Sequence, residues 1–138
     1  MISTLNMQDL RYLNLFAQIT KVNTRYFFEY NSMLVFCVPR KLVKQALGEN
    51  AENLKKMSGI VGKRIRVVAQ PDGIEDAKEF IGRIVSPLTF SGLEVTADEI
   101  IMNAGRMNKA LLIGREKRRL IEMQKIIKDF FKRDFRIV

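Results

Sequence analysis

The sequence predicts an α+β fold made of two tandem modules, each a small sheet covered by helices. Three observations carry that expectation. A helix–glycine–helix unit occurs twice, around Gly48 and around Gly114. Behind it Leu54 matches Leu120, Met57 matches Met123 and Ile60 matches Ile126 at an offset of 66, and Arg66-Val67-Val68 matches Arg136-Ile137-Val138 at an offset of 70. Between the copies, Gln70-Pro71-Asp72-Gly73 is the strongest turn signal in the chain. The modules are therefore expected at 1–70 and 71–138, with about one extra helical turn in the second copy.

The elements follow in order. Asn6 with Asp9 three residues later is a capping-box pattern, and Leu10, Leu13, Phe16 and Ala17 continue it as an apolar helical stripe to about Thr20. From Val22 to Tyr30 residues alternate at strand spacing, Asn31-Ser32 supplies a turn, and Met33 to Val38 returns as the second strand of a hairpin. Pro39 cannot donate to a ladder and suits a helix start. Leu42, Val43, Ala46 and Leu47 give a short helix stopped by Gly48, and Leu54, Met57 and Ile60/Val61 give a second that closes at Gly62. Lys63 to Val68 is a strand in which basic and apolar residues interleave. In the second module Asp72 with Glu75 is expected to start a helix reaching Ile84. Strands at Leu93–Thr96 and Glu99–Met102, a short helix to Ile113, a long one from about Glu116 to Phe131 and a strand at Phe135–Val138 complete it.

Charge is concentrated where the repeat is. The chain carries a formal net charge of +9. Residues 40–69 hold eight Lys/Arg against two Glu, and residues 104–138 hold eleven basic against four acidic side chains. Residues 70–103 are acidic, with seven carboxylates against two cations. Positive charge confined to both copies of a repeat points to a polyanionic partner.

The residues leave little room for catalysis. The chain has no His and one Cys, Cys37, which sits in an apolar run and reads as a buried small hydrophobe. Neither a zinc site nor a His-based nucleophile can be assembled from this composition, and neither phosphate-binding glycine fingerprint occurs. Glu75, Asp76 and Glu79 are spaced as a solvated helix face. No enzyme, no cofactor and no metal are expected. The apolar run Met33–Val38 is far too short to span a bilayer, and the start lacks signal-peptide character, so a cytoplasmic protein is expected, with no membrane partner.

The glycine turns read as a grip on phosphate. A helix N-terminus presents N–H groups and a partial positive charge, and a glycine ahead of it removes the Cβ that would keep a phosphate away. The residues assigned to this role are Gly48, Glu49, Asn50, Ala51 and Lys55 in the first copy. In the second they are Gly114, Arg115, Glu116, Lys117, Arg118 and Arg119.

These patterns, Ala46-Leu47-Gly48…Ala51-Glu52-Asn53-Leu54-Lys55 and Leu112-Ile113-Gly114-Arg115, resemble the helix–GxxG–helix unit of KH domains, which clamp single-stranded RNA. Two such units on a short chain are similar to the archaeal NusA-like transcription factors. The resemblance runs from about Leu10 to Val138 and implies two modules of the prokaryotic KH topology. It also implies a factor that meets RNA near RNA polymerase and modulates termination or elongation. The chain departs from the motif where Ala51 and Lys117 replace the second glycine and where Glu49 and Glu116 enter the loops. A broad basic surface is therefore expected in place of two standard clamps. The competing expectation is a KH-fold protein–protein adaptor on polymerase or ribosome whose loops have lost RNA.

Overall fold

The computed structural model describes residues 6–138, which form two compact units, the first ending at Gln70 and the second running Pro71–Val138. In the first the order is α1 (Met7–Thr20), β1 (Tyr26–Tyr30), β2 (Met33–Val38), α2 (Val43–Leu47), α3 (Glu52–Val61) and β3 (Arg64–Ala69). The second repeats it as α4 (Ala77–Val85), β4 (Gly92–Val95), β5 (Glu99–Asn103), α5 (Gly105–Ile113), α6 (Arg118–Phe131) and β6 (Asp134–Ile137). Each unit is α+β, a three-stranded sheet packed with helices, as a KH-like fold would be.

The two sheets share one topology. β2 lies between β1 and β3, antiparallel to the first and parallel to the second, with Tyr30 opposite Met33 and Met33 opposite Arg64. β5 lies between β4 and β6 in the same senses, with Gly92 opposite Asn103 and Glu99 opposite Asp134. A parallel return needs a crossover, and in each unit a pair of helices joined at a glycine loop supplies it. The hairpin β1–β2 turns on Asn31 and Ser32, both with positive φ (52° and 62°), the handedness that matches strand twist.

Local chemistry sets the element ends. Asn6 Oδ1 accepts from the Asp9 amide at 2.9 Å, and Asp9 Oδ2 accepts from the Asn6 amide at 3.2 Å, closing the capping box that starts α1. The strand expected from Val22 begins only at Tyr26. Thr20 and Thr24 hydroxyls accept from the Val22 and Tyr26 amides at 3.1 and 3.2 Å, and these local bonds draw residues 22–25 out of the ladder. The second unit opens differently from expectation too. Asp76, not Glu75, closes the first turn, taking the Asp72 amide at 2.8 Å on Oδ2, and a 3-10 turn at Ile74–Asp76 precedes α4.

The core of the first unit gathers Phe16, Val22, Phe27, Leu34, Phe36, Val38, Ala46 and Met57 under α1, α2 and α3. Phe16 and Phe36 stack at 4.3 Å between ring centroids, and Phe27 lies 5.2 Å from Phe36. In the second unit Phe80 meets Phe130 and Phe131 at 4.9 and 5.9 Å. Met57 and Met123 are both buried, as the repeat requires, but Ile60 is 60% exposed where Ile126 is 3% exposed. The reason is length: α3 has 10 residues and α6 has 14, so Ile60 sits on the last turn of its helix and Ile126 in the middle.

Candidate nucleic-acid interface

The two glycine loops have the same backbone. Gly48 (φ 74°, ψ 177°) and Gly114 (φ 80°, ψ 168°) occupy a region open essentially to glycine alone. Asn50 (55°, 33°) matches Glu116 (55°, 31°), and Ala51 (58°, 30°) matches Lys117 (60°, 22°), all left-handed. The next residues, Glu52 and Arg118, return to right-handed helix. The turn uses many of its own amides: Gly48, Ala51 and Glu52 donate to the Lys44, Gly48 and Glu49 carbonyls, and Gly114, Lys117 and Arg118 donate to those of Ala110, Gly114 and Arg115. The loop therefore does require positive φ at Ala51 and Lys117, where the KH motif has its second glycine. Both side chains are carried there against a left-handed penalty of about 1–2 kcal/mol.

The structure also gives the loop glycines a different reason from the one read in the sequence. A Cβ on Gly48 would lie 2.9 Å from the Asn53 side chain, and a Cβ on Gly114 would lie 2.9 Å from the Arg119 backbone nitrogen. The space left by the missing Cβ is taken by the following helix, not kept open for a ligand. Asn53 Nδ2 donates back to the carbonyls of Gln45 and Ala46 at 3.3 and 3.2 Å. Arg119 Nη1 donates to the Leu111 carbonyl at 3.0 Å. Arg119, assigned to RNA from its charge, is thus engaged in closing its own helix pair. Glu49, Asn50, Lys55, Arg115, Glu116, Lys117 and Arg118 are exposed at the loops, with Ala51 half-buried.

Beside the first loop lies an open groove of about 610 Å³ between α3 and the edge strand β3. Ala51, Leu54, Lys55, Ser58 and Gly59 form its helix wall, and Met33, Arg64, Ile65 and Arg66 its strand wall. No Asp or Glu is among the lining residues. Arg64 and Arg66 stand two residues apart on one strand face, and burial together with the neighbouring Arg64 charge pulls the Arg66 guanidinium below its ordinary pKa. An anion entering there would relieve that repulsion.

The corresponding positions of the second unit are built otherwise. Glu99 replaces Met33 and Asp134 replaces Arg64; Arg136 keeps the place of Arg66 but binds Glu99 at 3.2 Å. Asp134 pairs with Lys128 at 3.3 Å. Gln124, in the place of Ser58, donates across to the Phe135 carbonyl of the edge strand at 3.2 Å. The loop of this unit carries more positive charge, yet the strand beside it is neutralised by its own carboxylates.

A second cavity of about 590 Å³ lies between α1 and the start of β1, with Leu10, Leu13 and Tyr26 in its wall and Arg25 as its one cation. Among the described residues no three of His, Cys, Asp and Glu converge to hold a metal ion, and no helix is long and apolar enough to cross a membrane.

No protein-family profile matches the chain. It is similar to a probable transcription termination protein NusA of Methanococcus vannielii, with 30% identity over 84 residues, 61% of this chain and 47% of that protein. The chain spans about half the length of that curated relative. Its fold is shared with the crystal structure of APE1850, at a TM-score of 0.66, 19% identity, and coverage of 97% of this chain and 99% of the other. A NusA-like relationship is what these likenesses support.

Arg64 and Arg66 were absent from the residues assigned by sequence, although the interleaved run Lys63-Arg64-Ile65-Arg66 was legible. Alternation in an edge strand puts both guanidinium groups on one side, and that signal would have added them to the site.

Proposed function

We propose that this chain is an RNA-binding transcription factor resembling NusA, with two tandem KH-like units of the prokaryotic order helix–strand–strand–helix–helix–strand. It contacts single-stranded RNA in the cytoplasm and modulates termination or elongation beside RNA polymerase. The observation that carries this reading is the open groove of the first unit, which ends at the Gly48 loop and is lined by Lys55, Arg64 and Arg66. The loops would take phosphates through the amides of Glu49 and Asn50, and of Arg115 and Glu116, with Lys55, Arg115, Lys117 and Arg118 adding charge. The NusA relative supports the transcriptional setting. We read the chain as a binding protein and not an enzyme, since it has no His and its one thiol is buried.

Titration of labelled single-stranded and duplex RNA at two salt concentrations tests this. Single strands should bind more tightly, with affinity falling steeply as salt rises. Arg115→Glu with Arg118→Glu should weaken binding and flatten the salt slope. Unchanged affinity and slope in that variant would sink the reading. The adaptor alternative draws on the Glu99–Arg136 pair and the loop carboxylates Glu49 and Glu116. Copurification with polymerase or ribosome, together with no salt-sensitive RNA binding, would favour it.

A further inference from the structure

Single apolar side chains on a surface are ordinary, but a row of them along one helix is not. Met107 and Leu111 of α5 are 90% and 52% exposed, and Ala110 beside them is exposed too. Positions i, i+3 and i+4 share one helix face. The three residues therefore form a continuous apolar stripe, distinct from the face that buries Leu112. The helix carrying it is held firmly in its own unit. Asn108 donates to the Thr89 carbonyl at 2.9 Å, and the Leu111 carbonyl accepts from Arg119 at 3.0 Å.

The repeat shows that the fold does not require this stripe. Sixty-six residues upstream, ahead of the Gly48 loop, the same places hold Lys41, Lys44 and Gln45, all exposed. The equivalence is structural as well as sequential, since Asn53 binds the Gln45 carbonyl as Arg119 binds that of Leu111. One unit presents two ammonium groups and an amide where the other presents a thioether, a methyl and an isobutyl group. Cations would serve a phosphate ligand at this place. Apolar groups serve a partner able to remove them from water.

We infer that the outer face of α5 is a docking surface for an acidic amphipathic helix of a protein partner. Charge complementarity names the occupant. α5 has no carboxylate, and its exposed Arg106 and Lys109 border the stripe on one side. Neither is engaged by an ion pair among the described residues. The apolar side of a partner helix covers Met107, Ala110 and Leu111 while its carboxylates meet Arg106 and Lys109. The flexible thioether of Met107 adapts to whatever apolar side chains arrive. A second copy of this chain suits the face poorly, because it would bring the same cations against each other. The surface goes beyond the RNA-binding reading and does not depend on it.

The test uses two fluorescein-labelled peptides of about 20 residues, rich in leucine and glutamate and equal in composition. In one the leucines recur at i, i+3, i+4 and i+7; in the other they are spread around the helix. By fluorescence anisotropy the full chain should prefer the patterned peptide by about tenfold or more, the effect of burying at least one large apolar side chain. Met107→Lys with Ala110→Lys and Leu111→Gln, which installs the first unit's residues, should erase that preference although it adds two positive charges. It should melt no lower than wild type, since all three positions are exposed. Arg106→Glu with Lys109→Glu should weaken both peptides and leave their ratio unchanged. A preference kept by the triple variant overturns the proposal, as does wild-type protein that binds the two peptides alike or binds neither. Self-association that rises with concentration and is abolished in the triple variant would assign the stripe to a second copy and overturn it too.

Discussion

Asn53 donates its side-chain amide to the Gln45 carbonyl at 3.3 Å, fastening α3 to the end of α2 across the Gly48 loop. The second unit makes the same tie with different chemistry: Arg119, at the equivalent position, donates to Leu111, the equivalent of Gln45, at 3.0 Å. The loop geometry is thus held by a side chain to backbone clasp as well as by its glycine.

Breaking that clasp should cost stability without unfolding the chain. Asn53→Ala removes both hydrogen bonds that the side chain donates, to Gln45 and Ala46, and should destabilise by about 1–2 kcal/mol in urea unfolding. Gly48→Ala should cost about 2 kcal/mol or more, because it forces a side chain into a glycine-only region and against Asn53. In the Asn53→Ala background the Gly48→Ala cost should shrink, since the clash at 2.9 Å is gone and only the φ strain remains.

The second-glycine positions predict the opposite sign. Ala51→Gly and Lys117→Gly relieve left-handed strain of about 1–2 kcal/mol and give back about 0.5–1 kcal/mol in chain entropy. Each should therefore stabilise, by about 0.5–1 kcal/mol in the same unfolding measurement. Lys117→Gly should also flatten the salt dependence of RNA binding, because it removes a cation from the loop.

The stacked pair Phe16 and Phe36, both fully buried, anchors the first unit. Phe36→Ala should cost about 3–5 kcal/mol, whereas Phe36→Leu, which keeps most of the volume, should cost markedly less. Denaturant midpoints for both variants check this, and equal losses would mean the ring packing contributes little.

Cys37 supplies a pH dependence. Burial pushes its thiol well above the ordinary value of 9.0, so the folded chain keeps the proton that the unfolded chain releases. Stability from this residue is complete below pH 9 and is lost as pH rises, at up to about 1.4 kcal/mol per pH unit. The difference in unfolding free energy between wild type and Cys37→Ala, followed from pH 8 to pH 10, should narrow correspondingly. Thiol labelling at pH 8 should proceed only as fast as the chain opens.

Much of the architecture was legible because it is written in local patterns. The Asn6–Asp9 box, the Asn31-Ser32 turn, the run Met33–Val38, and the helix stops at Gly48, Gly62 and Gly114 each depend on neighbours within a few residues. Where expectation failed, side chains competed for the backbone, as Thr20 and Thr24 do ahead of β1 and Asp76 does ahead of α4. Ile60 and Ile126 match in sequence yet differ in burial, because a helix end and a helix middle bury different residues at the same offset.

By itself the sequence determined the order of elements, the repeat at 66 residues and the confinement of positive charge to its two copies, since periodicity and charge are properties of the chain. The tertiary structure decided what lies beside each loop. That depends on α3 meeting β3 across Ser58, Gly59, Arg64 and Arg66, and on α6 meeting β6 across Gln124 and Phe135. It also set the left-handed backbone at Ala51 and Lys117, which the turn between two packed helices imposes whatever residue the sequence places there.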